Sequence, residues 1–194
     1  MKHVILIGFM GCGKSTVGIR LSYRLRRVVE DTDKLIEKRA GKSISDIFKE
    51  EGEAAFRQME TKCLQELMTL KDERIISTGG GLPMKIENHE FLKRLGTVVY
   101  LRISPKGVWE RLKNDTTRPL LQCDDPMAKI DELLAKRAPV YEQAADVVLD
   151  VDGKNMEEVL TELEQKLLEC GCITESSLMR GEEDETVSNQ WTQS

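Results

Sequence analysis

The chain has 194 residues, of which 40 % are hydrophobic and 32 % charged, and a formal net charge of −5. That length suits one domain with its own core, and that balance suits a water-soluble globular protein. An acidic total excludes a global attraction to nucleic acid or to an anionic membrane surface, so any anion must be met by local Lys, Arg and backbone N–H groups.

Val4 to Ile7 is an unbroken apolar run ending at Gly8, the pattern of a strand buried on both faces of a parallel sheet. Val17, Leu21 and Leu25 repeat every four residues, so a helix is expected from Lys14 to about Leu25. Val28-Val29 reads as a second strand running into Glu30-Asp31-Thr32-Asp33, followed by a short helix from Lys34 to Arg39 that stops at Gly41. Ser43 and Asp46 open another short helix with Ile44, Ile47 and Phe48 on its apolar face. Phe56, Met59, Cys63, Leu67 and Leu70 mark the longest amphipathic stretch, Glu53 to Leu70. Arg74 to Ser77 reads as a third strand closing on Thr78-Gly79-Gly80-Gly81, and Val98 to Leu101 as a fourth, followed by a helix from about Ser104 to Lys113. A helix opening at Asp125-Pro126 is expected to end before Pro139. Val147 to Leu149 is a fifth strand, and Met156 to Leu168 a final helix. Strands alternating with helices predict a doubly wound parallel α/β sheet, whose ligands gather at the carboxyl ends of the strands.

Residues 171–194 are expected to form a polar, acidic, disordered tail beyond a domain of residues 1–170, because Glu182-Glu183-Asp184-Glu185 and few large apolar residues leave little to bury. The five cysteines are odd in number and form no C-x-x-C pair, which fits reduced thiols in the cytoplasm rather than a disulfide framework or a zinc site. No stretch reaches the ~20 apolar residues that cross a bilayer, and no exposed apolar stripe calls for a partner subunit, so a monomer is expected.

The chemistry starts at Gly8 to Ser15, a G-x-x-x-x-G-K-S pattern placed between a buried strand and a helix. Such a loop turns its N–H groups onto phosphate oxygens at a helix N-terminus. Lys14 is placed to reach the β- and γ-phosphates, Ser15 to ligate Mg²⁺, and Thr16 to meet the α- or β-phosphate. Asp31 and Asp33 share a face if the segment is extended; one could hold the metal through water and the other take a proton from an acceptor hydroxyl. A pair of helix-capping acids is the plainer reading of the same two residues. Arg57 has Glu53 four residues before it and Glu60 three after, either as a solvent-facing ion pair or as a fork aimed at a substrate carboxylate. Gly79 to Gly81 exceed what a turn needs and imply close backbone approach to a ligand. Arg118 lies in a polar stretch between helices that could form a lid over the phosphates.

In this order the motifs resemble shikimate kinases, small kinases of the P-loop, nucleoside-monophosphate-kinase-like group. The likeness runs from about residue 3 to 169 through Asp31-Thr32-Asp33, Ser43 to Phe48, Gly52-Glu53, Phe56 to Glu60, Gly79 to Gly81, Arg111 to Leu121, and Arg137-Ala138-Pro139-Val140-Tyr141 to Ala145-Asp146. It implies a three-layer α/β/α P-loop fold with a five-stranded parallel sheet, substrate-binding helices and a lid near residues 112–125. It also implies phosphorylation of the 3-hydroxyl of shikimate by ATP with Mg²⁺. Asp33, Arg57, Gly79, Gly80, Gly81 and Arg137 would hold shikimate, with Asp33 as base and Arg57 and Arg137 bracketing the carboxylate. Gly11, Cys12, Gly13, Lys14, Ser15, Thr16, Arg111 and Arg118 would contact ATP. Lys14 and Arg118 would stabilise the transferring phosphoryl group, and Ser15, with Asp31 through water, would hold the metal. The usual Leu-Gly pair before the second strand is here Leu25-Arg26, and no second adenine-side arginine stands at Gly153-Lys154. Alternative readings are a kinase of another small hydroxy acid such as gluconate, and a nucleotide-responsive binding protein without turnover.

Overall fold

Five short strands, β1 (His3–Ile7), β2 (Val28–Asp31), β3 (Arg74–Ser77), β4 (Gly96–Arg102) and β5 (Val147–Asp150), form one sheet in the order β2-β3-β1-β4-β5. Every pairing is parallel, with Ile5 opposite Ile76 on one side and Val98 on the other. The computed structural model describes residues 2–115 and 123–178. Because β1 is central, all five of its residues are buried. Each of its aliphatic side chains then contributes roughly 1.5–3 kcal/mol of burial. The edge strand β2 lacks that cover, and Val28 is exposed.

Eight α-helices lie wholly within the described residues: α1 (Lys14–Leu25), α2 (Thr32–Ala40), α3 (Ile44–Glu50), α4 (Gly52–Leu67), α5 (Glu87–Leu95), α6 (Pro105–Leu112), α7 (Pro126–Ala144) and α8 (Met156–Glu169). A 3₁₀ turn spans Leu82–Met84, and residues 175–178 are helical too. α1 packs on β1, β2 and β3 and against α8, whereas α5 packs on β1 and β4 with α7 beside it, giving the three layers. The strands all point the same way, so the turns after β1, β2 and β3 leave the same edge of the sheet and share one crevice.

Three elements differ from the sequence reading. Helix α5 lies in a stretch whose residue pattern predicts no element. Its buried face includes Asn88 and His89, which hide the apolar period. Both are satisfied: Asn88 donates to Leu82 O at 2.9 Å and accepts from Thr61 Oγ1 at 2.8 Å, and His89 Nε2 lies 2.7 Å from Pro83 O. Helix α7 does not stop at Pro139 but runs on to Ala144, which makes it, at 19 residues, longer than the 16-residue α4. Pro139 and Ala135, whose carbonyl loses its intrahelical donor, are both exposed, so water can take that bond. Finally, packed structure continues past residue 170. Gly171 takes a left-handed turn, and Cys172 and Ile173 are buried in the core at 6 % and 4 % exposure. Residues 179–194, the rest of the expected tail, lie outside the described residues.

The Leu25-Arg26 departure has a structural consequence. Arg26 closes α1 at φ +50°, and its N–H bonds back to Ser22 O. It is the one non-glycine at positive φ among the described residues. The turn therefore keeps the left-handed shape that glycine adopts freely, with an arginine holding it against backbone sterics. Arg26→Gly should raise stability by about 0.5–1 kcal/mol in urea or thermal unfolding, and Arg26→Val should lower it. A loss on substitution by glycine would show that the contacts of the side chain outweigh the backbone strain.

Candidate active site

The donor side is built where β1 ends. Gly11 and Gly13 sit at φ +77° and +97°, which other residues rarely adopt. α1 then begins with no side-chain cap on Gly13 and no acid in its first turn. Its first N–H groups, those of Lys14, Ser15 and Thr16, have no intrahelical partner and are available to an anion, with the positive helix end behind them. Lys14 Nζ donates to Gly8 O at 2.8 Å and Phe9 O at 3.0 Å, which holds the ammonium over the loop. Arg111, from α6, donates to Gly11 O at 3.1 Å and Val151 O at 2.9 Å, bracing the loop against the end of β5. Lys154, by contrast, is turned onto Glu162. Cys12 departs from the expected lining: its side chain is buried in the core, its thiol lies 3.6 Å from Lys14 Nζ and its N–H donates to Phe9 O. At 1 % exposure Cys12 leaves only its backbone for any contact with a ligand.

The two acids are arranged differently from an extended pair. β2 ends at Asp31, which caps α2: its Oδ1 accepts from the N–H groups of Asp33 at 3.0 Å and Lys34 at 3.3 Å. Its other oxygen accepts from Ser15 Oγ at 3.5 Å. Asp33 stands in the first turn of α2, facing the triple glycine. Thr32 Oγ1 accepts from Gly79 N–H at 3.0 Å, which ties the start of α2 to the end of β3. A Cβ on Gly79 would overlap Asp33 Oδ1, and one on Gly81 would overlap the Arg57 guanidinium. The bare backbone is therefore what admits both charged groups. Between them, the Gly80 carbonyl accepts from Tyr141 Oη at 2.6 Å.

Both readings of Arg57 hold in part. Its Nη2 and Nε donate to Glu53 Oε1 at 2.8 and 3.2 Å, and its Nη1 donates to Glu60 Oε2 at 2.8 Å. Glu53 is solvent-facing, but the Glu60 side chain is only 1 % exposed. Burial pushes the Glu60 carboxyl up to about 7 against the opposing pull of Arg57. Burial likewise raises Asp33 to about 6, with the Asp31 charge adding to the effect and Lys14 opposing it. Asp33 Oδ1 and Glu60 Oε1 are buried without a hydrogen-bond partner. Such oxygens are costly unless a ligand or water completes them. Arg137 of α7 places its guanidinium carbon 5.7 Å from the centre of the Phe9 ring.

One cleft of about 680 Å³ brings together Gly11, Gly13, Lys14, Ser15, Thr16, Asp31, Asp33, Arg57, Gly79, Gly80, Gly81, Arg111 and Arg137. Arg118 lies outside the described residues. Phe56 and Ile44, which periodicity assigns to helix apolar faces, also line the cleft, as do Met10, Thr78 and Met156. Residue type alone carries no signal that would move these from core to site. Ser15 Oγ and Asp31 Oδ2 form an oxygen-only pair beside the phosphate loop, a donor set that suits a hard divalent cation keeping most of its waters.

Residues 10–168 match the family model described as "Shikimate kinase". A shikimate kinase of Thermodesulfovibrio yellowstonii is 45 % identical over 159 residues, covering 82 % of this chain and 91 % of the relative. The structure of the Acinetobacter baumannii shikimate kinase in complex with shikimate superposes with a TM-score of 0.80 at 36 % identity, over 87 % of this chain and 94 % of that one. A gluconokinase structure from Sinorhizobium meliloti reaches a TM-score of 0.51 at 15 % identity over 100 % of this chain and 97 % of that one, a likeness of fold alone. The phosphate loop, the acids beside it and the glycine-lined acceptor face thus sit in a chain that belongs to the shikimate kinase family.

Proposed function

We propose that this protein transfers the γ-phosphoryl group of ATP to the 3-hydroxyl of shikimate. The observation that carries this reading is the single cleft in which an open helix N-terminus with Lys14 faces Asp33, Arg57 and Arg137 across the glycine backbone. A small carboxylated polyol needs guanidinium groups for its carboxylate and a carboxylate for its hydroxyls, and this cleft holds both. A gluconate kinase shares the fold, but the family match favours shikimate.

In the proposed mechanism Arg57 and Arg137 bracket the shikimate carboxylate, and the backbone of Gly79 to Gly81 admits the ring. Asp33 accepts hydrogen bonds from the ring hydroxyls and takes the proton of the attacking one. Its carboxyl, raised to about 6, titrates close to neutral pH, where a general base is most effective. Lys14 leaves the Gly8 and Phe9 carbonyls for the phosphates and stabilises the charge that spreads over the equatorial oxygens. Arg118, outside the described residues, is assigned to the same charge on the transferring phosphoryl group. Thr16 and the backbone of Gly11, Cys12 and Gly13 hold the phosphates, and Arg111 supports the adenine side. Ser15 and, through water, Asp31 would hold Mg²⁺, which would supply charge neutralisation at the phosphates. All of these groups come from one chain, so the reading takes the enzyme as a monomer. The five free cysteines suit a reducing cytoplasm, and no described helix is long and apolar enough to cross a membrane.

ADP release should require shikimate and a divalent cation together. Gluconate or no acceptor should give background, and EDTA should abolish turnover until Mg²⁺ is restored. Turnover with gluconate and none with shikimate would sink the reading. Asp33→Asn should lose turnover while ATP affinity stays near the parent value. The same change should stabilise the ligand-free protein. A carboxyl raised in the fold costs stability as pH rises from about 4 through 6, so the variant should gain about 1–3 kcal/mol at pH 7–8 and nothing below pH 4. Arg57→Ala should raise the shikimate KM well over tenfold with a smaller change in ATP KM. An unaltered shikimate KM would return Arg57 to a structural ion pair.

A further inference from the structure

The two arginines on the acceptor side are held by opposite physics. Arg57 lies between two glutamates, so much of its charge is already compensated within the protein. Arg137 has no carboxylate partner among the described residues. Instead its guanidinium carbon lies 5.7 Å from the centre of the Phe9 ring, inside the range in which the negative ring face attracts a cation. Phe9 is fully buried, so the ring is desolvated on the protein side, where this attraction is strongest. One turn along α7, Tyr141 fixes the helix by its bond to Gly80 O and by packing on the Tyr100 ring at 5.1 Å.

A ring orients a guanidinium without neutralising it, and its quadrupole leaves the full charge for an incoming anion. A carboxylate in the place of the ring would orient Arg137 equally well but would compete with the substrate for it. Phe9 is also part of the phosphate loop: its carbonyl accepts from Lys14 Nζ at 3.0 Å and from Cys12 N–H at 3.3 Å. The backbone of this residue thus serves the donor side while its ring faces the acceptor side. Periodicity alone makes Phe9 an ordinary apolar residue, and burial alone would make it core packing.

We propose that Phe9 is a positioning residue for the acceptor, its ring face holding the Arg137 guanidinium oriented and uncompensated for the carboxylate of shikimate. The proposal rests on the reading above that Arg137 receives that carboxylate, and it names the group that keeps Arg137 ready.

The test replaces Phe9 with phenylalanines carrying one, two, three and five ring fluorines, which drain the negative ring face while nearly preserving its shape. The shikimate KM should rise stepwise with fluorine number, to roughly three- to tenfold at the pentafluoro ring. The kcat, the ATP KM and the melting temperature should stay near those of the parent. Phe9→Leu, which keeps an apolar side chain but removes the ring, should give a similar rise in shikimate KM. A flat shikimate KM across the series, or a KM that moves only in step with melting temperature, would overturn the proposal in favour of packing. Arg137→Gln serves as the control. If it raises the shikimate KM while the fluorine series stays flat, the carboxylate assignment survives and the role of Phe9 falls. If it leaves the shikimate KM unaltered, the assignment itself fails and takes the role of Phe9 with it.

Discussion

Everything on the acceptor side depends on a stretch of backbone that has no side chains. At the end of β3 a carboxylate and a guanidinium press against Gly79 and Gly81 so closely that a single Cβ at either position would displace one of them. A side chain at either position would therefore push the carboxylate or the guanidinium out of its place beside the strand and into the cleft. The bond from Gly79 N–H to Thr32 then sets α2, and with it Asp33, at a fixed distance from the strand. The bond from Tyr141 to Gly80 O sets α7, and with it Arg137, on the other side. Three elements far apart in sequence take their places from one run of bare backbone.

The charges held there are not arranged for stability. Asp33 and Glu60 each bury an oxygen without a partner and bind protons more tightly than ordinary carboxylates. At Asp33, which has no cationic hydrogen-bond partner among the described residues, an amide would suit the ligand-free fold better. Stability given up at buried polar positions is the usual signature of a functional cleft. The cations show a division of labour. Lys14 rests on neutral carbonyls that can release it, Arg57 is clamped by glutamates that fix its fork, and Arg137 lies on a ring that leaves its charge free. In the proposed mechanism each support suits a different demand: movement toward phosphate, rigid geometry, and attraction of an anion.

The parts of the fold legible in the sequence are those governed by short-range pattern. The buried run Val4 to Ile7, the α1 repeat of Val17, Leu21 and Leu25, and the third strand Arg74 to Ser77 are all where periodicity places them. Elements escaped where a local rule was overridden by packing. Asn88 and His89 bury polar groups that Thr61, Leu82 and Pro83 satisfy, so α5 shows no clean apolar stripe. Pro139 sits inside α7 because its lost bond falls on the exposed side. Asp31, by contrast, is the cap that the plainer reading of the acid pair expects, since a capping carboxylate relieves two N–H groups at once. Phe56 and Ile44 pack on the core as their period predicts, and their place on the cleft wall stays hidden because a side chain lining a cleft obeys the same period as one beneath it.

By itself the sequence pointed to the donor half of the proposed site. A phosphate loop is contiguous, its glycines and Lys14 act through their own backbone, and eight residues suffice to specify it. The likeness of the ordered motifs to shikimate kinases supplied the acceptor. Only the tertiary structure decided how the acceptor half is held: that the triple glycine admits Asp33 and Arg57, that Glu60 is buried while Glu53 is not, and that Arg137 rests on Phe9. Those relations join β1, α2, α4, the end of β3 and α7, and no local pattern encodes a distance between residues that meet only when the sheet forms.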